Sequence, residues 1–403
     1  MHRPRKRTND VRFRASDGRL VILQLNITAD FQCRGISLRC FMKIGAIPEN
    51  LVERLAMFFG LVPTPIVDTF HAIIVARAVM VATKLDVFDA LKSHPVSAMD
   101  LAAQLGLDAA ALEKLLNVLV AIGYVQSGPA GFASTRLTRK WLMRDSPQSI
   151  RDNMLLRFLE WQATESTEEF VRTGKALDVH ALIRDEQWGV YQRGMRSLAR
   201  LSAPEVAARV PGLQNPLTML DIGGGHGAYS AALCRRYPQL NATILDLPQA
   251  IEVANSLVAE EHLKERIVLK PGNAQTENLG RAVWDIIFVS HLIHHFSEAQ
   301  NLSLLKRCAH ALRPNGIVVI LDVLRGPSRE AGIQTGALLD LYFAVTSLSG
   351  TFSAEQIARW ITASQLGIER VIPLRSAPGI SLVVAKQVAD SKVSTERVDT
   401  RCT

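Results

Sequence analysis

The chain has 403 residues, 48% hydrophobic and 21% charged, with a formal net charge of +8. This composition excludes a wholly disordered chain, and the length points to two or three domains. Nine basic and three acidic residues fall within residues 1–41, so the body is nearly neutral and the charge gives no reason to expect a nucleic-acid partner for it.

The opening MHRPRKR stands too far from the short apolar run LVILQL to form a secretory signal. Residues 1–56 are read as a basic, disordered extension, with Met42 as a candidate natural start. The best apolar stretch, Ile66 to Ala82, contains Asp68, His71 and Arg77, so no membrane span is expected. Five cysteines without a CxxC pair fit neither a disulfide framework nor a zinc knuckle, and a reducing cytoplasm is expected.

Residues 57–146 read as helices followed by a hairpin. Ser97 caps a helix that stops at Gly106, and Asp108 caps a second that stops at Gly123. YVQSG, a Gly128-Pro129 turn and GFASTRLT complete a winged-helix layout. The second helix offers Glu113, Lys114 and Asn117 among Ala and Leu, which suits packing against a protein better than base reading.

Residues 147–205 are read as helical. Met154, Phe158, Trp161 and Phe170 recur at helical spacing on one predicted helix, either as core or as the wall of an apolar substrate pocket. A further helix carries Trp188, Tyr191 and Met195 before Pro204. From 206 to 388 short apolar runs (LTMLDIG, ATILDL, RIVLK, WDIIFVS, GIVVILDVL, ISLVVAK) alternate with helical stretches. This predicts an α/β, doubly wound, Rossmann-like and mostly parallel sheet. Residues 389–403 form a polar tail.

The strongest constellation is LDIGGGHGAYS. A buried strand runs into Asp221 and then Gly223, Gly225 and Gly227, where tight turns and close ligand approach need no Cβ. A second strand ends at Asp246, placed to accept from both hydroxyls of a ribose. Gly223, Gly225 and Ala228 also satisfy a dinucleotide pattern, but Asp221 directly before the turn would repel a pyrophosphate and suits a cationic cofactor. Asn273, after the third strand, is either a purine contact or a turn residue. His291, His294 and His295 follow the next strand, and at least one is expected to accept a proton. Their spacing is not that of a metal site, and no metal is expected.

LDIGGGHG, ILDLP, KPGN, SHLIHHFSEAQ and LRPNGIVVILD, in that order, resemble the class I S-adenosylmethionine-dependent O-methyltransferases. The small-molecule branch is the nearer likeness, its catalytic domain preceded by a winged-helix dimerisation domain. The resemblance implies a homodimer using S-adenosylmethionine on a hydroxyl of a small aromatic or polyketide-like molecule, with His294 of IHHFS as the general base. It implies cofactor contacts at Asp221, Gly223, Gly224, Gly225, Asp246, Leu247, Asn273, Ser290 and Met195, and an acceptor pocket at Met154, Phe158, Trp161, Tyr342 and Phe343. Asp322 matches the family's acid after strand five, Tyr342 stands where the family has a substrate-facing Asn, and the family's later Glu-Arg pair is missing, so Glu330 or Asp340 is expected to substitute as the acid that braces His294. Alternatives are non-methylating chemistry with the same cofactor, a winged-helix regulator, and an NAD-dependent dehydrogenase.

Overall fold

The computed structural model describes residues 10–14, 20–24, 45–325, 334–347 and 349–387; Met42, Glu330 and the 389–403 tail lie outside these. The chain divides into two units, 1–40 and 41–403. In the first, Asp10–Arg14 pairs antiparallel with Leu20–Gln24, so part of the stretch expected to be disordered is a hairpin built on the apolar LVILQ run.

In the second unit, helix α1 (Leu51–Phe58) begins at Asn50, whose side chain accepts from the Glu53 amide; the 1–56 boundary therefore cuts through an ordered element. Helix α2 (Thr64–Lys84) follows. By length and composition alone it could cross a membrane, with mean hydropathy 1.6, but its last third (Ala78, Val79, Ala82) is packed into an N-terminal core. That core is completed by α3 (Ala98–Leu105) and α4 (Ala109–Ala121), through Leu101, Leu112, Leu116 and Leu119. Ser97 and Asp108 cap these helices by accepting from the Asp100 and Ala111 amides. The strands Val125–Gly128 and Gly131–Ser134 form the expected hairpin.

Helix α5 (Arg151–Thr164) ends earlier than the periodicity predicts, and Ser166 starts a separate short helix, Thr167–Thr173. Helix α6 (Asp185–Arg209) runs in the other direction from expectation: it continues through Pro204. Val206, Ala207 and Val210 lie in the sheet's core just beyond it, and that burial outweighs the hydrogen bond the proline removes.

The main sheet holds β1 (Thr218–Ile222), β2 (Asn241–Asp246), β3 (Ile267–Pro271), β4 (Trp284–Ser290), β5 (Leu312–Arg325), β6 (Leu366–Pro373) and β7 (Ile380–Gln387). Its order is β6-β7-β5-β4-β1-β2-β3, with Phe352–Ser353 adding a short parallel pairing to β5. The strands β1 to β5 are mutually parallel where they pair, whereas β7 lies antiparallel between β5 and β6. The sequence runs missed β6, whose LGIERVIP alternates with charged residues as an edge strand does.

Alternate side chains feed two cores. Met219, Ile244, Phe288 and Val319 face one side, under α6, α7 (Ala228–Arg236) and α8 (Pro248–Glu260). Leu220, Leu245, Ile287 and Ile320 face the other, under α9 (Glu298–Ala311) and α11 (Ala354–Ala363), while α10 (Gln334–Thr346) follows β5. The β1 and β4 strands adjoin at the point where the chain's winding reverses, and ligands bind outside the carboxyl ends of such strands.

Candidate active site

A cavity of about 340 Å³ opens at those carboxyl ends. Its lining includes Gly223 and Gly225 from the turn after β1, Asp246 and Leu247 after β2, Asn273 after β3, Ser290 at the end of β4, and Met195 from α6. Seven of the nine expected cofactor residues thus meet at one place. Gly224 and Asp221 do not reach the lining, and the glycine turn explains both.

The turn folds back over Asp221, which is 1% exposed and accepts from Ser230 Oγ at 2.6 Å. A Cβ at Gly224 would fall 2.4 Å from the Asp221 carboxyl carbon. Asp221 therefore lies beneath the turn, where burial pushes its carboxyl up to about 7. Its Oδ1 is buried without a partner, an acceptor held just under the cavity floor. Gly223 (φ +73°) and Gly225 (φ +24°) adopt left-handed conformations. At Gly225 a Cβ would meet Gln192 Oε1 at 2.6 Å.

Asp246 is aimed by two backbone donors: Gly225 N–H reaches Oδ2 at 2.8 Å and Leu247 N–H reaches Oδ1 at 2.7 Å. Burial nevertheless raises its carboxyl to about 6. Asn273 is a turn residue, its Oδ1 accepting from the Gln275 amide at 2.8 Å, and it also lines the cavity. On α6, Trp188, Tyr191 and Met195 project from one face, as their spacing requires.

Sequence reasoning missed His180, Gln192, His226 and Ser347 on this lining. His180 sits on the short helix Val179–Leu182 and bonds Tyr191 Oη through Nε2 at 2.8 Å. It also makes an edge contact with His295, centroids 4.5 Å apart. No periodicity marks so short a helix. Burial holds His180 at about 4 and His295 well below the usual imidazole value, so both are neutral at pH 7.

The three histidines after β4 take different places. His291 and His295 line the cavity; His294 does not. His294 is 3% exposed, with Nδ1 at 2.8 Å from Asp322 Oδ1 at the end of β5 and its ring stacked on Phe343 at 4.0 Å. The Val323 amide also donates to Asp322 Oδ1, and the facing histidines hold that carboxyl below its ordinary range although it is fully buried. Asp322, rather than the expected Asp340, is thus the acid that orients His294, and Glu330 lies outside the described residues. Asp340 accepts instead from the Thr351 amide at 3.0 Å.

The expected acceptor residues divide. Met154, Trp161 and Tyr342 line a second cavity of about 500 Å³ between α2, α5 and α10. Phe158 is outside it, held between Arg77 (4.9 Å) and Lys84 (4.8 Å), and Phe343 covers His294. Among the described residues no group of three or more His, Cys, Asp and Glu side chains is placed to hold a metal ion.

A glycine turn, a strand-end carboxylate and a histidine–aspartate pair on adjacent strand ends define an α/β enzyme that binds a nucleoside cofactor. The chain belongs to the S-adenosylmethionine-dependent O-methyltransferases: the O-methyltransferase domain matches residues 171–363 and the O-methyltransferase dimerisation domain residues 67–144. It is 24% identical over 330 residues to the 3-hydroxy-5-methyl-1-naphthoate 3-O-methyltransferase of Streptomyces sahachiroi, covering 80% of this chain and 94% of that one. The mitomycin biosynthesis 6-O-methyltransferase of Streptomyces lavendulae is 27% identical over 315 residues, 75% of this chain and 88% of that one. Among solved structures, the mitomycin 7-O-methyltransferase superposes with a TM-score of 0.69 at 26% identity, over 84% of this chain and all of that one. Human N-acetylserotonin methyltransferase, solved with S-adenosylmethionine, shares the fold, with a TM-score of 0.72 at 17% identity over 85% of this chain and 99% of that one.

The residues present fit that cofactor. Asp246 offers a carboxylate for a ribose diol, Gly225 leaves a cradle that a Cβ would fill, and the orphaned Asp221 Oδ1 and its neighbours supply no cation of their own. The neutral His180 and His295 likewise place no positive charge against a sulfonium.

Proposed function

We propose that the protein methylates a hydroxyl of a small aromatic or polyketide-like molecule, with His294 as the general base. The observation that carries this is the His294–Asp322 pair at the carboxyl ends of two adjacent strands, beside the cofactor cavity. The relatives named for naphthoate and mitomycin methylation support the acceptor class. Bound S-adenosylmethionine supplies an electrophilic methyl group. The chain's part is to hold the two reactants in line and to take a proton.

With Nδ1–H donated to Asp322, Nε2 is left as the basic nitrogen. A hydroxyl that donates to Nε2 becomes a better nucleophile as the proton moves. The resulting imidazolium is stabilised by the buried, ionised Asp322. Removal of that proton contributes about 10²–10⁴-fold, and positioning provides most of the remaining acceleration. His294→Ala is expected to retain S-adenosylmethionine affinity by calorimetry and to lose turnover by that factor. Turnover is read by mass as a product heavier by one methylene unit; unchanged turnover would remove His294 from the mechanism.

We further propose that the active form is a homodimer in the cytoplasm, with the helix pair and hairpin after α2 acting as a winged-helix unit. The dimerisation-domain match supports the first point, and the buried free thiols Cys234 and Cys308 support a reducing compartment.

A further inference from the structure

The second cavity has mostly apolar walls, from Val79, Met80, Met154 and Trp161. Besides Tyr124 and Thr164, its polar lining holds a trio: Arg157 and Glu160 from α5 and Tyr342 from α10. Arg157 Nη1 is paired with Glu160 Oε2, and Arg157 Nε donates to the Asn153 carbonyl at 3.3 Å. The Tyr342 hydroxyl is also within hydrogen-bonding reach of Glu160. Arg157 Nη2 has no protein partner among the described residues, so it is the trio's spare donor.

The position of this cavity ties it to the chemistry. Tyr342 packs against Phe343 with centroids 5.3 Å apart, and Phe343 stacks on His294. On the cofactor side, Tyr191 feels the charges of both Glu160 and Arg157. Tyr342 and Phe343 thus join the wall of this cavity to the proposed base.

We propose that this cavity is the far arm of the acceptor site. There, Arg157, held by Glu160, selects a neutral aromatic acceptor with a carbonyl oxygen remote from the methylated hydroxyl, such as a hydroxyaryl ketone or quinone, over an aryl carboxylate. This rests on the methyl-transfer reading above. A carbonyl oxygen accepts from Nη2 and leaves the Arg157–Glu160 pair intact. A carboxylate competes with the largely buried Glu160 for the same guanidinium and sets a second negative charge beside it, which weakens its binding. Arg77 lies over the Trp161 ring at 5.1 Å and does not line the cavity.

The test is the affinity of the full-length protein, saturated with S-adenosylhomocysteine, for three probes: para-hydroxybenzophenone, para-benzylphenol and hydroxybiphenylcarboxylate. The first two differ only in a carbonyl against a methylene. The ketone is expected to bind about tenfold or more tighter than the methylene analogue, as a hydrogen bond from a charged donor gives. It is also expected to bind tighter than the carboxylate. Arg157→Met alone strands Glu160, so it is paired with Glu160→Gln; in that double variant the ketone-to-methylene ratio should fall towards one. Tightest binding of the carboxylate, a ratio that survives the double variant, or no binding of any probe overturns the proposal. Calorimetry with S-adenosylmethionine runs alongside: if the cofactor binds and the probes fail, the pocket assignment falls alone, whereas failure of the cofactor to bind sinks the methyl-transfer reading beneath it.

Discussion

At the scale of single residues, two buried acids are held in opposite ways: burial raises the Asp246 carboxyl to about 6, whereas the facing histidines hold Asp322 below its ordinary range. Asp246 was legible because a carboxylate ending the second strand of an α/β unit has one recurrent use. The choice of His294 rested on the likeness of IHHFS to the family motif, and its contact with Asp322 was hidden because 28 residues and a helix separate the pair. Asp246 carries a prediction. Burial raises its carboxyl from 3.8 to about 6, so in the free protein it holds its proton well above the range of an unfolded Asp. Its raised value costs stability: the cost is absent below pH 3.8, builds between 3.8 and about 6, and is constant above that. Ribose hydroxyls donate more strongly to the ionised form, both of whose oxygens accept, so binding opposes that protonation. S-adenosylmethionine should bind about tenfold more weakly at pH ~5 than at pH ~7. Calorimetry across this range would show it, with a flatter dependence in Asp246→Asn; equal slopes in the two proteins would assign the proton elsewhere.

At the scale of elements, local signals were read well where they are local. Ser97, Asp108 and Gly106 mark helix ends through capping and a left-handed glycine, and the structure has each of them. The failures came where packing overrides propensity: α6 passes through Pro204 because its far end is buried, and β6 carries an edge strand's charges and so lacks an apolar run. The glycine turn combines local geometry with packing. Gly225→Ala places a methyl 2.6 Å from Gln192 Oε1 and 3.0 Å from Asp246 Oδ2. It should cost about 1–3 kcal/mol of stability and weaken cofactor binding by about tenfold or more. Gly106→Ala, at φ +67° with nothing within 4 Å, is the control: about 1 kcal/mol of backbone strain and no change in cofactor affinity. Urea unfolding and calorimetry on both variants separate the cost of a left-handed residue from that of a filled cradle; equal affinities would mean the cradle is not used.

At the scale of the molecule, the net charge was a weak guide, because most of it sits in residues 1–41, and the informative feature is apolar surface. Nothing on α1 is buried, and Leu51, Phe58, Phe59, Leu61 and Phe70 are 69%, 81%, 67%, 75% and 62% exposed. So much contiguous apolar area marks an interface. A membrane is one possible cover, since the helix 64–84 is long and apolar enough to span one. Insertion, however, would pull Ala78, Val79 and Ala82 out of the N-terminal core and take Arg77 from the faces of Phe158 and Trp161. A second copy of the chain can cover α1 and the start of α2 without disturbing either. The expected result is a dimer by sedimentation equilibrium that does not float with anionic lipid vesicles. Phe58→Asp combined with Phe70→Asp should sediment at half the mass, because two exposed positions then place carboxylates in an apolar contact, while the Leu101–Leu112–Leu116 core is untouched. A variant that stays dimeric would move the interface elsewhere, and flotation of the unaltered protein would make the apolar face a membrane surface.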